Sequence, residues 1–161
     1  MARGEDSATG DTPGPDVSTA LAVQLRRAAG EVGRVVHAFA ATQDLHPTDV
    51  QALALVLDSP EPLTPGRLRE RLGLTPGAVT ACLDRLERAG HLRRVRDAED
   101  RRVVRLHYEG GARAVAADFF RPVAGACRAA QGGFDEAELG LVLRFLTAVN
   151  EELRKVRPPE R

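Results

Sequence analysis

The sequence predicts a mainly α-helical fold that carries a small β-hairpin, an α+β arrangement, and three observations point to it. Two short segments in the middle of the chain repeat the same signals for the start and the end of a helix. Two extended stretches flank the charged run "DAEDRR". Apolar residues recur at helical spacing towards both ends of the chain. With 161 residues, the chain has the length of one ordinary domain.

The composition argues against several functional classes. No run of about 18 apolar residues occurs, and the first residues lack the apolar segment of a secretory signal. We therefore expect no membrane contact and a cytoplasmic location. Cys82 and Cys127 are expected to be packing residues. Without a Cys/His cluster, a Gly-rich phosphate loop or a nucleophile–base set, we expect no metal, no cofactor and no enzymatic activity.

The charge of the chain is unevenly distributed, although the formal net charge is zero. The segment from Gly66 to Arg105 holds eleven arginines and six acidic residues, a net charge of +5, so the rest of the chain carries −5. Such a segment can be a solvated surface, or it can bind an anionic partner such as nucleic acid.

The pattern of apolar residues and breaks divides the chain into regions. Residues 1–15 are rich in Gly, Pro, Ser and Asp, which predicts a disordered tail. Asp16 is placed to cap the helix that follows and runs to about Thr42. The predicted regions are the tail (1–15), an N-terminal dimerisation helix (16–44), a central DNA-binding core (45–110) and C-terminal dimerisation helices (111–157).

Two short helices in the centre share one pattern of residues. Each has a threonine cap, a proline at its first position and a glycine after its last turn. These are Thr64, Pro65 and Gly73 in the first helix, and Thr75, Pro76 and Gly90 in the second. Helices joined by so short a connection form a helix-turn-helix.

The second of these helices has two different faces. Val79, Cys82, Leu83 and Leu86 are spaced for burial. The opposite face begins with small and hydroxylated residues, which allow close approach to a surface, and continues with arginines that reach phosphates or a guanine edge. We predict that it enters the DNA major groove. The predicted DNA contacts are Thr64, Thr75, Pro76, Gly77, Ala78, Thr80, Ala81, Asp84, Arg85, Arg88, Arg96, Arg101 and Arg102.

The extended stretches 91–96 and 101–108 predict a hairpin that projects beside this helix as a wing. Arg101 and Arg102 lie near its tip, where they can enter the minor groove of DNA. Asp97 and Asp100 are expected to pair with arginines of the hairpin and to fix their direction. Exposed pairs contribute only about 0–1 kcal/mol, so we expect orientation rather than stability.

The stretch "LTPGRLRERLGLTPGAVTACLDRLERAGHLRRVRDAEDRR" resembles the winged helix-turn-helix core of the MarR family of bacterial transcriptional regulators. The resemblance runs from about Leu45 to Gly111 and is looser in the terminal helices. It implies a homodimer formed by both terminal regions. It also implies that the recognition helix and a wing arginine bind a pseudo-palindromic operator, from which a small molecule releases many members of the family. A ligand-responsive repressor is the function that the resemblance implies.

The sequence also departs from the family pattern. His46 stands where a Ser or Thr cap is common, and His107 replaces a Thr that would cap the next helix. The first helix has no cysteine, so thiol sensing of the kind that peroxide-sensing relatives use is not expected. Candidates to line a ligand pocket are His37, Phe119 and Phe120, which can equally be core or dimer contacts.

One alternative function from a different class remains open. A winged helix can be a protein-interaction module that has lost DNA binding. Acidic residues in place of Arg101 and Arg102 would favour that alternative, and this sequence retains the arginines. The dependence of binding on salt separates the two functions.

Overall fold

A computed structural model of the chain describes residues 16–156, which form six helices and two strands. In chain order these are α1 (Val17–Thr42), α2 (Pro47–Leu57), α3 (Pro65–Leu72), α4 (Pro76–Arg88), β1 (Leu92–Arg96), β2 (Val104–Tyr108), α5 (Gly110–Gln131) and α6 (Glu136–Lys155). The predicted mainly α-helical fold with a β-hairpin is confirmed. The predicted tail at 1–15, and residue 157, lie outside the described residues.

Helices α3 and α4 begin and end where the sequence pattern predicts. Thr64 and Thr75 each accept a backbone N–H of the first turn with the side-chain oxygen, at 3.3 and 3.2 Å. Gly73 and Gly90 follow the helices with φ angles of 63° and 74°. A residue with a Cβ is strained in this left-handed region, so glycine is the residue that allows both sharp exits.

The start of α2 uses an unusual cap. The imidazole Nδ1 of His46 accepts the backbone N–H of Thr48 at 3.2 Å. In return, Oδ2 of Asp49 accepts the backbone N–H of His46 at 3.0 Å. This reciprocal arrangement does the work of a capping box, with a histidine in the place of the more common Ser or Thr. It also holds the carboxylate of Asp49 at the N-terminal end of α2, next to the His46 backbone.

Two helix starts differ from this pattern. Helix α1 follows Asp16, but the side chain of Asp16 makes no cap hydrogen bond and accepts the hydroxyl of Ser18 instead. The predicted capping by Asp16 is therefore wrong. Helix α5 follows Glu109 and also has no side-chain cap. The Glu109 carboxylate forms an ion pair with Arg93 of β1 at 2.9 Å, which ties the start of α5 to the hairpin.

The hydrophobic core lies between α2, α3, α4 and the hairpin, and the end of α1 closes it. Its largest fully buried apolar side chains are those of Phe39, Leu68, Leu83, Leu86, Leu92 and Leu106. Strands β1 and β2 pair antiparallel, with Leu92 opposite Tyr108. The backbone N–H of Leu106 donates to the carbonyl of Leu63 at 2.8 Å, so the hairpin is fixed against the segment before α3.

The second strand is shorter than the sequence predicts. The extended stretch 101–108 was expected to form a strand throughout, but β2 begins at Val104, and residues 101–103 belong to the turn. The reason is local hydrogen bonding. Oδ1 of Asp97 accepts the backbone N–H groups of Glu99 and Asp100, at 2.9 and 3.3 Å, and the Asp100 carbonyl accepts the N–H of Val103 at 2.9 Å.

Three aromatic rings connect α1 with α5. The ring of Phe39 lies 5.0 Å from that of Phe119 and 5.1 Å from that of Phe120, and the latter two are 5.4 Å apart. Tilted and edge-on contacts at these distances are favourable because the positive ring edge meets the negative ring face. The cluster anchors α5 to the end of α1 that is buried in the core.

Candidate nucleic-acid interface

The exposed face of α4 carries small side chains in its first two turns. Gly77, Ala78, Thr80 and Ala81 are exposed, whereas Val79 on the other side is buried. A Cβ added at Gly77 would meet no atom within 4 Å, so nothing in the described chain covers this position. Small side chains on an open helix face allow a rigid surface to approach the backbone closely.

The hydroxyl groups on this face have partners inside the helix. Thr75 caps the helix, as described above, and the Thr80 hydroxyl donates to the carbonyl of Pro76 at 3.0 Å. Each hydroxyl oxygen has two lone pairs, and that of Thr80 remains able to accept a further hydrogen bond. Pro76 itself has no N–H, so Gly77 supplies the free backbone donor of this first turn.

Arg85 does not lie free on this face. Its guanidinium makes two parallel hydrogen bonds to the carboxylate of Asp49, with Nε–Oδ2 at 2.9 Å and Nη2–Oδ1 at 2.7 Å. The Asp49 side chain is fully buried, whereas that of Arg85 is 41% exposed. Such fork-to-fork pairing is among the strongest polar contacts in proteins and fixes both side chains. In this position Arg85 links α4 to α2, although the sequence predicted a DNA contact.

The pKa values at this junction follow from burial and hydrogen bonding. Burial alone would raise the pKa of Asp49, but hydrogen bonds from Arg85, Cys82 and the His46 backbone lower it below its usual value. Burial raises the pKa of the Cys82 thiol to about 12, and the neighbouring Asp49 carboxylate adds to the effect. Cys82 is therefore a protonated, unreactive packing residue.

Asp84, also a predicted DNA contact, is held by the hairpin. Nη1 and Nη2 of Arg94 both lie 2.8 Å from Oδ1 of Asp84. The same guanidinium contacts Oε2 of Glu87 at 2.7 Å, and the Arg94 backbone N–H donates to Oε1 of Glu87 at 2.8 Å. One arginine of β1 thus bridges two acids of α4 and ties the helix to the wing.

Two of the three acids of the wing turn, Asp97 and Asp100, are also paired with arginines. Oδ2 of Asp97 accepts Nε of Arg105 at 2.8 Å, and this hydrogen bond is the main reason why the pKa of Asp97 is lowered. Oδ1 of Asp100 accepts the Arg102 backbone N–H at 3.0 Å and lies 3.6 Å from its guanidinium. The Arg102 side chain is 94% exposed. The carboxylates therefore shape the turn, and the arginine at its end extends into solvent.

Several cations of the central lobe (residues 45–110) have no such partner. Within residues 16–156, no ion pair involves the exposed side chains of Arg88, Arg96 or Arg101. Arg88 lies on α4, Arg96 ends β1, and Arg101 lies in the turn of the wing. Three exposed arginines, on α4, at the end of β1 and in the wing turn, thus have no acidic partner among residues 16–156.

A basic cleft beside α3 was missed as a candidate site at the sequence level. Arg67, Arg71 and Arg105 line a cleft of about 280 Å³ next to Thr64, where Nη1 of Arg105 donates to the carbonyl of Pro62 at 3.3 Å. The signal was present in the run of arginines at 67, 69 and 71. Only the tertiary structure brings two of them next to an arginine of β2.

An apolar cavity lies between α1, α2 and α5, and we refer to it as the α1–α2–α5 cavity. It measures about 460 Å³ and is lined by Val36, Phe39, Val50, Leu53, Ala54, Leu57, Tyr108, Arg113, Ala116, Ala117 and Phe120. Of the three predicted pocket residues, only Phe120 lines it. Phe119 packs against Phe39 instead. His37 is exposed, and its Nδ1 lies 2.8 Å from the Gly33 carbonyl.

His37 lies outside this cavity for a simple geometric reason. Adjacent helix residues differ by about 100° in direction, so the neighbour of Val36, which does line the cavity, points elsewhere. At the cavity wall, burial raises the pKa of Tyr108, while the charge of Arg113 opposes that shift. The cavity is thus apolar with one phenol and one guanidinium at its edge.

The described residues contain neither a cluster of metal ligands nor a helix that could span a bilayer. No group of three or more potential ligands among His, Cys, Asp and Glu side chains comes together there. None of the described helices combines the length and the apolar character that crossing a bilayer requires.

The fold and this surface together define the class of the protein. A helix-turn-helix followed by a hairpin, with the second helix exposed along its first turns, is the winged helix-turn-helix of transcription regulators. A model of the MarR family matches residues 43–103. YcgE of Bacillus subtilis (strain 168), an uncharacterized HTH-type transcriptional regulator, is 35% identical over 141 residues, which cover 84% of this chain and 91% of YcgE. The chain belongs to the MarR family of transcriptional regulators.

Solved structures show the same fold at lower identity. A mutant of MepR from a multidrug resistant S. aureus clinical isolate superposes with a TM-score of 0.72 at 18% identity, over 83% of this chain and 96% of that one. FabT of Streptococcus pneumoniae, crystallised in complex with DNA, gives 0.62 at 23% identity, over 87% and 99%. A MarR family protein from Bacillus stearothermophilus gives 0.64 at 23% identity, over 85% and 95%.

Proposed function

We propose that this regulator is a homodimeric repressor that binds a pseudo-palindromic operator in duplex DNA and releases it when a small molecule binds. Helix α4 enters the major groove, and the wing arginines Arg101 and Arg102 enter the adjacent minor groove. One observation carries the proposal. The carboxylates of Asp49, Asp84 and Asp97 are each held by an arginine, while the exposed side chains of Arg88, Arg96 and Arg101 form no ion pair within residues 16–156.

This arrangement suits a polyanion. The paired carboxylates contribute less to the outward field than free ones would, and the unpaired arginines add positive charge to it. The small first turn of α4 permits close approach to base edges, and Thr80 and Gly77 offer polar groups there. FabT, a protein of the same fold, was crystallised in complex with DNA, which supports duplex DNA as the partner.

Dimer formation is proposed from the terminal helices. Helix α6 has 20 residues, none of which is buried. Its apolar side chains Leu141, Val142, Phe145, Leu146 and Leu153 are exposed by 37–62%. A helix with such a face requires a partner surface, and a second copy would supply one. Two-fold symmetry would then place two copies of α4 about 34–36 Å apart, one turn of DNA.

The effector is proposed to occupy the α1–α2–α5 cavity. Its walls are apolar, with Tyr108 and Arg113 at the edge, which favours a small apolar molecule that carries a polar or anionic group. Residues of α2 form part of the wall. A ligand there would bias the position of α2 relative to α1. In the dimer, held together by residues 16–44 and 111–157, this shift would change the distance between the lobes (residues 45–110) of the two copies.

The test is selection of bound sequences from a pool of random duplex DNA, followed by titration at several salt concentrations. We expect a palindrome with half-sites one helical turn apart. We also expect log affinity to fall with log salt by about 0.9 for each phosphate contact. A protein-interaction module without DNA binding would select no sequence, and that outcome would overturn the proposal.

A further inference from the structure

The carboxylate of Asp49 is the one fully buried acid among residues 16–156, and it lies between two elements of the lobe. One oxygen, Oδ2, accepts both the His46 backbone N–H at 3.0 Å and Nε of Arg85 at 2.9 Å. The other, Oδ1, accepts Nη2 of Arg85 at 2.7 Å. The first turn of α2 and the third turn of α4 therefore share a single carboxylate.

Arg85 has little freedom to leave this position. A buried carboxylate that loses its cationic partner is strongly destabilising, because the remaining charge has lost both its water and its counter-charge. Turning Arg85 towards a phosphate would impose that penalty on Asp49. The bidentate geometry also defines the direction of the guanidinium plane, which a single hydrogen bond would not.

We propose that Arg85 is a positioning residue, which acts with Asp49 to set the rotation and tilt of α4 against α2, and that it makes no contact with DNA. This inference rests on the proposed function, since it concerns how α4 is presented to the major groove. Arg88 has no such partner in the described chain and is the arginine of α4 that faces DNA.

The two roles differ in what they do to binding. A phosphate contact contributes equally on every sequence and adds to the salt dependence. A positioning pair changes only how well the base-reading side chains meet their bases. Loss of the pair should therefore lower the affinity for the operator and leave the affinity for unrelated DNA unchanged.

The experiment compares Arg85→Gln, Asp49→Asn, the double variant with both changes, and Arg88→Gln as the matched control. The probes are the duplex that the wild-type chain selects and a mixed-sequence duplex of equal length, each titrated over a range of salt. For Arg85→Gln we expect about tenfold weaker binding to the selected duplex, the size of one lost base contact. Binding to the mixed duplex and the salt slope should stay as in the wild type.

The controls are expected to behave differently. Arg88→Gln should weaken binding to both duplexes and reduce the salt slope by about 0.9. In the double variant the two amide side chains can still hydrogen-bond to each other. Its fold-loss of affinity for the selected duplex should therefore be at least about threefold smaller than the fold-losses of the two single variants multiplied together. If Arg85→Gln lowers the slope as Arg88→Gln does, or if the losses of the single variants simply multiply, the positioning role is wrong.

A measurement without DNA separates this inference from the proposed function. In the full-length chain, Asp49→Asn should speed amide hydrogen exchange in α4 at least about tenfold, with α6 as an internal control that does not change. Unchanged exchange in α4 would overturn the positioning role even if the wild-type chain selects an operator. Faster exchange in a chain that selects no DNA would support the pair and overturn the proposed function.

Discussion

The central lobe and the terminal helices of this chain differ in how many of their apolar side chains are buried. Helix α4 buries four residues within 13, while α6 buries none within 20. All buried apolar residues of the described chain lie in the lobe except Phe39, Ala40 and Ala112. The lobe thus completes its own core, whereas the terminal helices leave an apolar surface that a single copy of the chain does not cover.

The ion pairs differ in the same way. In the lobe most of them join different parts of the fold, as Asp49 and Arg85 do across 36 residues, and the Asp100–Arg102 pair of the wing turn is the exception. In the terminal helices they join residues three apart on one helix: Glu31 with Arg34, Asp118 with Arg121, and Glu152 with Lys155. Pairs of the second kind add only about 0.2–0.5 kcal/mol to a helix and specify no tertiary contact. Ion pairs thus fix tertiary contacts in the lobe, whereas those of the terminal helices stay within one helix.

The strongest test of this contrast is Leu146→Glu in the apolar face of α6. A charge at a buried dimer contact should convert the dimer into monomers and lower operator affinity at least about a hundredfold, because one chain then binds a single half-site. Sedimentation velocity and DNA titration measure the two effects. Thr147→Glu places the same charge on the opposite, exposed face and should leave the dimer intact. A Leu146→Glu variant that stays dimeric would refute the proposed interface.

The next largest effect is expected in the wing. Arg102→Ala should weaken binding to the selected duplex by about tenfold to a hundredfold, as loss of a groove contact of about 1–3 kcal/mol predicts, and Arg101→Ala should act in the same direction. The unfolding midpoint should not change, since the Arg102 side chain is 94% exposed. Arg121→Ala removes a similarly exposed arginine from α5 and serves as the control. Full affinity in both wing variants, by gel shift, would count against the minor-groove role.

A smaller effect is expected at the start of α4. Gly77→Ala adds a methyl group that meets nothing in the protein within 4 Å, and alanine favours a helix by up to about 1 kcal/mol. The free energy of unfolding should therefore stay the same or increase. If DNA lies against this turn, operator affinity should fall by roughly fivefold from overpacking of about 1 kcal/mol. Gly111→Ala changes the second residue of α5, with equally open surroundings, and should leave DNA affinity unchanged. Equal affinity for both variants would place DNA farther from α4.

The smallest effect concerns His91, which lies between α4 and β1 and is 5% exposed. Its Nδ1 has no hydrogen-bond partner within the described chain, and burial lowers its pKa below the ordinary 6.5. The unfolded chain then binds a proton more readily than the folded one, so the free energy of unfolding should fall as the pH drops below about 6.5. His91→Leu should flatten the decline between pH 7 and pH 5 in thermal unfolding. An unaltered pH profile would show that His91 does not contribute.

Much of the central lobe could be predicted because its signals are local. A threonine cap, a proline at the first position and a closing glycine act within a few residues, and α3 and α4 begin and end accordingly. The burial of Val79, Cys82, Leu83 and Leu86 followed from helical spacing alone. The DNA-contact residues on the other face of α4 stay predictions, because what binds an exposed face is not encoded in its spacing.

The features that spacing did not reveal depend on residues that are distant in sequence. The predicted DNA contact of Arg85 stays a prediction, but its pairing with Asp49, 36 residues away, could not be foreseen from the helix alone. His37 lies outside the cavity that its neighbour Val36 lines. Strand β2 was expected to begin at Arg101. Hydrogen bonds to the Asp97 carboxylate and to the Asp100 carbonyl form a turn there instead.

From its sequence alone, the chain determines where its helices start and stop, which face of each is apolar, and that its middle is basic. These properties depend on backbone torsions and on side chains a few residues apart, whose energies need no tertiary contact. The tertiary structure decided which arginines form ion pairs with acids of the same chain and which do not. It also decided which apolar residues enclose a cavity. Those outcomes depend on how helices distant in sequence pack against each other, because only that packing brings charges and surfaces within the few ångströms over which they interact.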